Sequence, residues 1–514
     1  MASTSDYVQL NTDDPHLHPR PRSQSTGSNL RQDPNREGVD NLSHCEENVR
    51  SSSMARMGAT INMVSTAIGG GGMFGNIFGA SQLGIVGFVI VTFISATFTL
   101  FTIQFLCMAS QISKRYSCYA LSQQFMGGKK GDLITKLFII FGNWSFCINI
   151  IQIFADFMEY ILPIWTQTSN ASFFVSREFA VILGILFIFP FITVQNIKNL
   201  ENLSGIFVFF AVAILIVIMM NAFYCITLGE ISTSIQYFNT NFNAIFRGLP
   251  PITWCWTIQF NVLPVYMTLN ESNRNKQMQS VSWWTVSLLF IYYVLFGIST
   301  MITWGNRIND DFITNLDYNN KNYVFYLSIE LSTVTQFIMV IVTFASIPIF
   351  AFEARVNLHY ILTDIYWCCF VPILQRIGCY YYHDTIDNND IENERSPLLS
   401  SSPDTQNNQF DILTRSYEET STSRVMEGSF LIATAALFAL MVENLNWSLS
   451  IVGATYGAYI AYFVPSIVYL RAIWNQNNLS RKHRYYKYMA FVIFTYGIIV
   501  CVLGIMEVFL EALG

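Results

Sequence analysis

Long apolar stretches alternate with short polar ones along most of this chain. A helix needs about 20 apolar residues to cross a bilayer. Eleven stretches approach or exceed that length: 57–80, 85–112, 134–163, 178–196, 203–228, 250–270, 281–304, 323–352, 427–444, 447–471 and 488–511. The pattern predicts an all-α polytopic membrane protein, with spans 1–8 in 57–352 and spans 9–11 in 427–514. Spans 1 and 6 are interrupted, and span 9 is short. Residues 1–56 are polar, with no apolar core, and read as a disordered cytosolic tail rather than a cleavable signal. The longest loop, 353–426, opens with Leu358–Tyr382, read as an interfacial helix with a re-entrant segment as the alternative. Cys368 and Cys369 there are palmitoylation candidates. Asp384–Arg424 is rich in Asn, Ser, Asp and Glu and is expected to be disordered.

Charge orients these spans. If the N-terminus is cytosolic, only Arg177, Arg247, Arg307 and Lys321 of the 28 Lys and Arg residues fall on the other side. Cytosolic loops carry the excess of Lys and Arg, so the N-terminus is expected in the cytosol and the C-terminus opposite. One missed or extra helix would invert every later loop. The sequon at Asn170 then lies on the non-cytosolic side, where glycosylation is possible, and the one at Asn202 does not.

Span 1 contains Ser65–Asn76, STAIGGGGMFGN. Glycine in a helix interior costs about 1 kcal/mol relative to alanine. Backbone polar groups at membrane depth must be satisfied, so a break there survives only beside a cavity or ligand. The amides at such a break suit an anion and its carbonyls a cation. Close packing of small residues is the alternative use of the glycines. Span 6 reads PPITWCWTIQFNVLPVYMTLNES, with Gln259 and Asn261 inside and Pro264 removing a helical hydrogen bond. Spans 1 and 6 each open a group of five. Paired interruptions at matching positions are the mark of inverted-repeat secondary transporters, here a 5+5 repeat with span 11 appended.

Composition narrows the function. Charged residues make up 12% of the chain and hydrophobic ones 52%, against roughly 25% charged in soluble chains. The ten cysteines lie in spans or expected cytosolic segments and form no Cys-x-x-Cys pair, which argues against a disulfide framework, metal site or redox site. All six histidines sit in tails or at loop edges, leaving a membrane enzyme no buried histidine. No cofactor beyond a coupling ion, and no nucleic-acid partner, is expected.

STAIGGGGMFGNIFGASQLG resembles the first-span motif of the amino acid/auxin permease family, a Gly-x-Gly followed by an apolar run and a closing Gly, here Gly70, Gly72 and Gly84. FNVLPVYMTL resembles its sixth span, PFITVQNIKNLENLSGIF its fourth-to-fifth junction, TFASIPIFAFEAR its eighth span and SIVGATYGAYIAYFVPSIVYL its tenth. The matches run in order over about 57–511, and the sodium-coupled neutral amino acid branch looks nearest. The resemblance implies a bacterial-leucine-transporter-like fold with helices 1 and 6 broken and an amino acid bound at the midplane. It implies that the Ile68 carbonyl faces the substrate amine, and that Gly71 and Gly72 amides, beside Gly70, face its carboxylate. Gln259 and Asn261 would complete the pocket. Thr66 and Gly69 carbonyls, with Ser346 and Thr343, would hold sodium, a hard cation suited to oxygen ligands. The chain departs from the family pattern at three positions. Thr66 stands where an Asn is common, with Asn62 one turn earlier. Gln259 replaces a His, and Thr268 a Glu.

Asp156 and Glu159 share a face of span 3. Ionisable groups at membrane depth are functional candidates, and Asp156 is the proton-coupling candidate. Asn143, Asn149 and Gln152 read as interhelical hydrogen-bond formers, and Glu507 and Glu511 as solvated. Glu394, Leu398 and Leu399 fit an acidic dileucine signal, and Tyr7–Leu10 a tyrosine-based one, both readable by clathrin adaptors. These point to endosomal, lysosomal or vacuolar membranes. The expected function is secondary active amino acid transport by a monomer, with an amino acid sensor of little net flux as the alternative.

Overall fold

A computed structural model describes residues 53–166, 173–192, 201–232, 235–309, 311–317, 323–344, 346–365, 420–442, 445–474 and 481–513. The tail, Asn170, the dileucine residues Glu394, Leu398 and Leu399, and most of Leu358–Tyr382 lie outside these. The described helices, in chain order, are α1 (53–67), α2 (Met73–Ser113), α3 (Cys118–Phe125), α4 (Lys129–Thr166), α5 (Arg177–Ile192), α6 (Glu201–Leu228), α7 (Phe242–Cys255), α8 (Gln259–Thr268), α9 (Arg274–Trp304), α10 (Ile329–Phe344), α11 (Ile347–Ile365), α12 (Ser421–Met441), α13 (Leu445–Val452), α14 (Val464–Ile473) and α15 (Arg481–Leu513). Helix occupies each of the eleven apolar stretches, and eight described helices are long and apolar enough to cross a membrane.

Burial separates centre from rim. In the most apolar window of α4, 72% of residues are buried, against 28% in α15. Phe209, Phe223, Phe430 and Leu510 point outward and exposed. An apolar rim of this kind fits a solvent of lipid tails.

The two expected interruptions are both present and differ in kind. Between α1 and α2 the chain stays helical but widens into a π-helical stretch, Ile68–Gly72. A π-turn inserts one residue while keeping most backbone bonds, and such bulges mark functional sites. Between α7 and α8 the helix stops outright at Trp256–Ile258. Pro264 is not the cause: it lies inside α8, beyond the break.

Gly84 divides α2 into limbs 73–83 and 85–113, with φ 71° and ψ 166°. L-residues rarely adopt a positive φ, and glycine does so without steric cost. The turn is stitched to the irregular segment leading into α7: Ile85 N–H donates to Gln236 O (3.1 Å), Val86 N–H to Tyr237 O (2.8 Å) and Asn239 N–H to Leu83 O (3.2 Å). α7 itself is closely flanked. A Cβ on Gly75 would stand 2.9 Å from Pro251 O, and one on Gly453 2.0 Å from Pro250 O. Gly453 opens two π-helical stretches in the tenth span, Gly453–Gly457 and Tyr459–Phe463, that the sequence pattern does not announce.

One local reading changes, and one connection holds a helix of its own. The segment read as an interfacial helix begins as a continuation of α11, which runs to Ile365. The connection after span 2 holds a short helix, α3, capped by the Ser117 hydroxyl accepting from Ala120 N–H.

Candidate functional site

The two interruptions meet. Tyr293 of α9 donates its hydroxyl toward Ala67 O (3.2 Å), at the start of the π-stretch, and Cys255 O (3.1 Å), at the end of α7. Cys255 Sγ lies 3.0 Å from Gly72 O. A Cβ on Gly72 would stand 2.3 Å from Ala67 O and 2.5 Å from the Tyr293 hydroxyl. Thr257 Oγ1 donates to Thr253 O (2.8 Å), a carbonyl that also accepts from Trp256 N–H (3.2 Å). Trp256 packs edge-on to Tyr293 at 5.5 Å. Side-chain hydroxyls thus satisfy main-chain groups that regular helix would have paired, as a low-dielectric interior requires.

Beside this junction lies a set of neutral oxygens. A Cβ on Gly69 would come within 1.8 Å of Ser346 Oγ, so the π-stretch and the start of α11 are in direct contact. Thr343 Oγ1 donates to Met339 O (2.8 Å), and Ser346 Oγ to Val342 O (3.4 Å). Thr66 Oγ1 donates to Asn62 O (2.9 Å) and accepts from Asn261 Nδ2 (2.9 Å), which also reaches Asn62 Oδ1 (2.7 Å). Thr66, Thr343 and Ser346 are all buried. Hydroxyls and carbonyls suit a small hard cation. Among the described residues no group of three or more His, Cys, Asp or Glu can hold a metal ion.

The candidate residues therefore separate. Thr66, Gly69, Thr343 and Ser346 lie where α1, the π-stretch, α10 and α11 adjoin, and Asn62 stands beside Thr66. Ile68, Gly70, Gly71 and Gly72 form the π-stretch itself, with Ile68 and Gly72 buried. Asn261 turns to Thr66. Gln259 turns away: its Nε2 donates to Thr102 Oγ1 of α2 (3.0 Å). Asp156 stands apart, bonded to Arg177 at the start of α5, with Glu159 3.8 Å from the same guanidinium. Asp311, which carried no signal in the sequence, lies beside Asp156.

Of the other polar readings, that of Gln152 holds and two are corrected. Asn143 bonds within its own helix, to Ile139 O (2.8 Å). Gln152 donates to Val442 O, as an interhelical tie. Glu507 is not solvated: it is 5% exposed and pairs with Arg247. A carboxylate drawn inside a bundle is held by its cation. Tyr293, Thr257 and Cys255 had no sequence signal, since a Tyr, a Thr and a Cys in apolar helices are ordinary.

Known transporters and solved structures resemble this chain. AAT1 of Plasmodium falciparum, named for amino acid transport, is 24% identical over 440 residues, covering 83% of this chain and 67% of that one. Sodium-coupled neutral amino acid symporter 2 of Danio rerio is 20% identical over 331 residues, covering 60% of this chain and 64% of that one. The chain thus spans about two thirds of the length of each. The transporter Mhp1, of the nucleobase-cation-symport-1 family, aligns over 88% of this chain and 90% of its own with 12% identity and a TM-score of 0.48. A manganese transporter of Eremococcus coleocola aligns over 88% and 94% with 11% identity and a TM-score of 0.43. The family model described as "Transmembrane amino acid transporter protein" matches residues 53–510. This multi-pass membrane chain therefore belongs to that family, the amino acid/auxin permeases, whose members are transporters and not enzymes.

Proposed function

We propose that this chain is a secondary active transporter of amino acids, neutral ones first, working by alternating access and coupled to sodium or protons. The observation that carries the reading is the junction of the two interruptions, where Ala67, Gly72 and Cys255 carbonyls converge on Tyr293 and the Cys255 thiol. A zwitterion needs both a carbonyl set and an amide set at one place, and paired helix interruptions supply them. The Gly69–Ser346 contact, with Thr66 nearby, supports a sodium position. The halves 1–5 and 6–10 act as repeats in this reading. The N-terminus is cytosolic, and Glu394, Leu398 and Leu399 direct the protein through clathrin adaptors to endolysosomal or vacuolar membranes. The name of the Danio rerio relative is consistent with sodium and neutral amino acids.

The test is uptake of a labelled amino acid mixture into proteoliposomes under an imposed sodium gradient and, separately, a pH gradient. Uptake that follows sodium and is lost in Ser346→Ala supports the Gly69–Ser346 site. Uptake that follows only pH moves the coupling to Asp156. Binding without flux or exchange under either gradient overturns the transporter reading in favour of a sensor.

A further inference from the structure

At the Lys/Arg-rich end of the bundle, the end of α2 and the start of α9 border a cavity of about 550 Å³ whose charged lining is Lys114, Glu271, Arg274 and Lys276. Its walls are held in place. Tyr116 and Tyr266 stack at 6.3 Å. The Arg274 guanidinium lies 5.8 Å from the first ring and 5.5 Å from the second, and its Nε donates to Leu269 O (3.2 Å). The Tyr266 hydroxyl donates to Asn275 Oδ1 (2.6 Å) and accepts from Gln111 Nε2 (3.0 Å). Lys114 is fixed by its backbone: it closes α2 in a left-handed conformation, φ 58°, with its N–H on Ser110 O (2.8 Å). Positive φ is uncommon outside glycine. Tyr266 lies just over two helical turns past the break at Trp256–Ile258, about 12 Å along α8, so this cavity is separate from the junction.

The charges in this wall do not cancel. Three cations and one carboxylate leave it a net charge of +2. Glu271 answers Arg274, at 3.3 Å. Lys114 and Lys276 make no ion pair among the described residues. The positive end of the 31-residue α9 adds to the field, and its N-cap, Asn273, makes no side-chain cap bond there. Ammonium groups, a guanidinium and amides gathered at a helix start are the donor set of a phosphate group. What carries that phosphate is indicated by the outer face of α9. Lys276 begins an exposed stripe that continues at helical spacing through Trp284, Leu288, Ile291 and Leu295. Such a stripe is basic at headgroup level and apolar at acyl-chain level. Basic pockets between spans hold phosphorylated lipid headgroups in this way, and a volume of this size suits a small ligand, for which about 300–1,000 Å³ is usual.

We propose that this cavity binds phosphate carried on the headgroup of an anionic phospholipid. Lys114 and Lys276 are the cations that meet it, and Arg274 is the member of the set anchored in the wall. A lipid held here bridges the end of span 2 and the start of span 7, the two spans that follow the interrupted ones.

The experiment reads binding and not flux, so its failure leaves the transport reading standing. Full-length protein in detergent is titrated with dioctanoyl phosphatidylinositol bisphosphate, dioctanoyl phosphatidylcholine, inositol trisphosphate and inorganic phosphate, and binding is followed by thermophoresis. The bisphosphate lipid is expected to bind tightest and the phosphatidylcholine not to saturate. Lys114→Gln combined with Lys276→Gln is expected to weaken the bisphosphate lipid by about tenfold or more. Lys129→Gln combined with Lys130→Gln removes the same two charges from exposed positions at the start of α4, outside the cavity. That control is expected to change affinity by less than about threefold. Equal weakening by the two pairs reduces the effect to general surface charge and overturns the site, as does binding that neither pair changes, or none at all. Lys114→Arg combined with Lys276→Arg keeps the charge and should bind within about threefold of wild type. Loss there as well traces the glutamine result to damage and overturns the assignment. Inorganic phosphate or inositol trisphosphate binding as tightly as the lipid keeps the phosphate site and overturns the lipid as its source.

Discussion

The first interruption keeps its chain in helical backbone from Ala67 to Met73, whereas the second leaves it for three residues, Trp256–Ile258. One is built from missing side chains and the other from present ones. At Gly69, Gly72 and Gly75 the absent Cβ makes room for Ser346, the Tyr293 hydroxyl and Pro251 O. At the break in the sixth span no glycine or proline occurs, and the Thr257 and Tyr293 hydroxyls take the carbonyls of Thr253 and Cys255. A glycine run therefore need not unwind a helix. It lets other elements come close enough to share polar groups with it.

The sharpest way to break this comparison is Gly72→Leu. Its Cβ meets backbone at 2.3 Å, and overpacking against groups that cannot yield costs about 3 kcal/mol or more. Amino acid uptake should fall to background in protein that still reaches the membrane, and retained uptake would count heavily against the junction. Gly69→Ala comes next, at about 1–3 kcal/mol. Because its Cβ meets the Ser346 hydroxyl at 1.8 Å, adding Ser346→Ala should recover part of the lost melting temperature. Tyr293→Phe removes the donor from two buried carbonyls and should cost about 1–3 kcal/mol. Hydrogen exchange should then quicken at both interruptions. Thr257→Val should cost about 1 kcal/mol and quicken exchange around Trp256–Ile258 while leaving Ile68–Gly72 unchanged. A change at both sites would mean that the two interruptions are not built separately.

The helices were legible because about 20 apolar residues leave few other options. The glycine run located one half of the junction for the same kind of reason: four missing side chains are visible without coordinates. The other half was misplaced because Pro264 looked like the breaker, whereas the helix ends where hydroxyls can take over its carbonyls. Gln259 followed a family position, yet its amide is turned to Thr102. Tyr293 was not legible at all. It matters only through a residue distant in sequence, Ala67, and one-dimensional patterns do not report such meetings.

The stitch at Gly84 has a mechanical and an evolutionary consequence. It fastens the far end of the first interrupted helix to the segment leading into the second through three main-chain bonds. Torque on one is therefore passed to the other. Main-chain bonds do not depend on which side chains stand at Ile85, Val86, Gln236 or Tyr237, so those positions are open to drift while the linkage persists. Only Gly84 is pinned, by its left-handed φ and by the 2.7 Å that would separate any Cβ from Gln236 O.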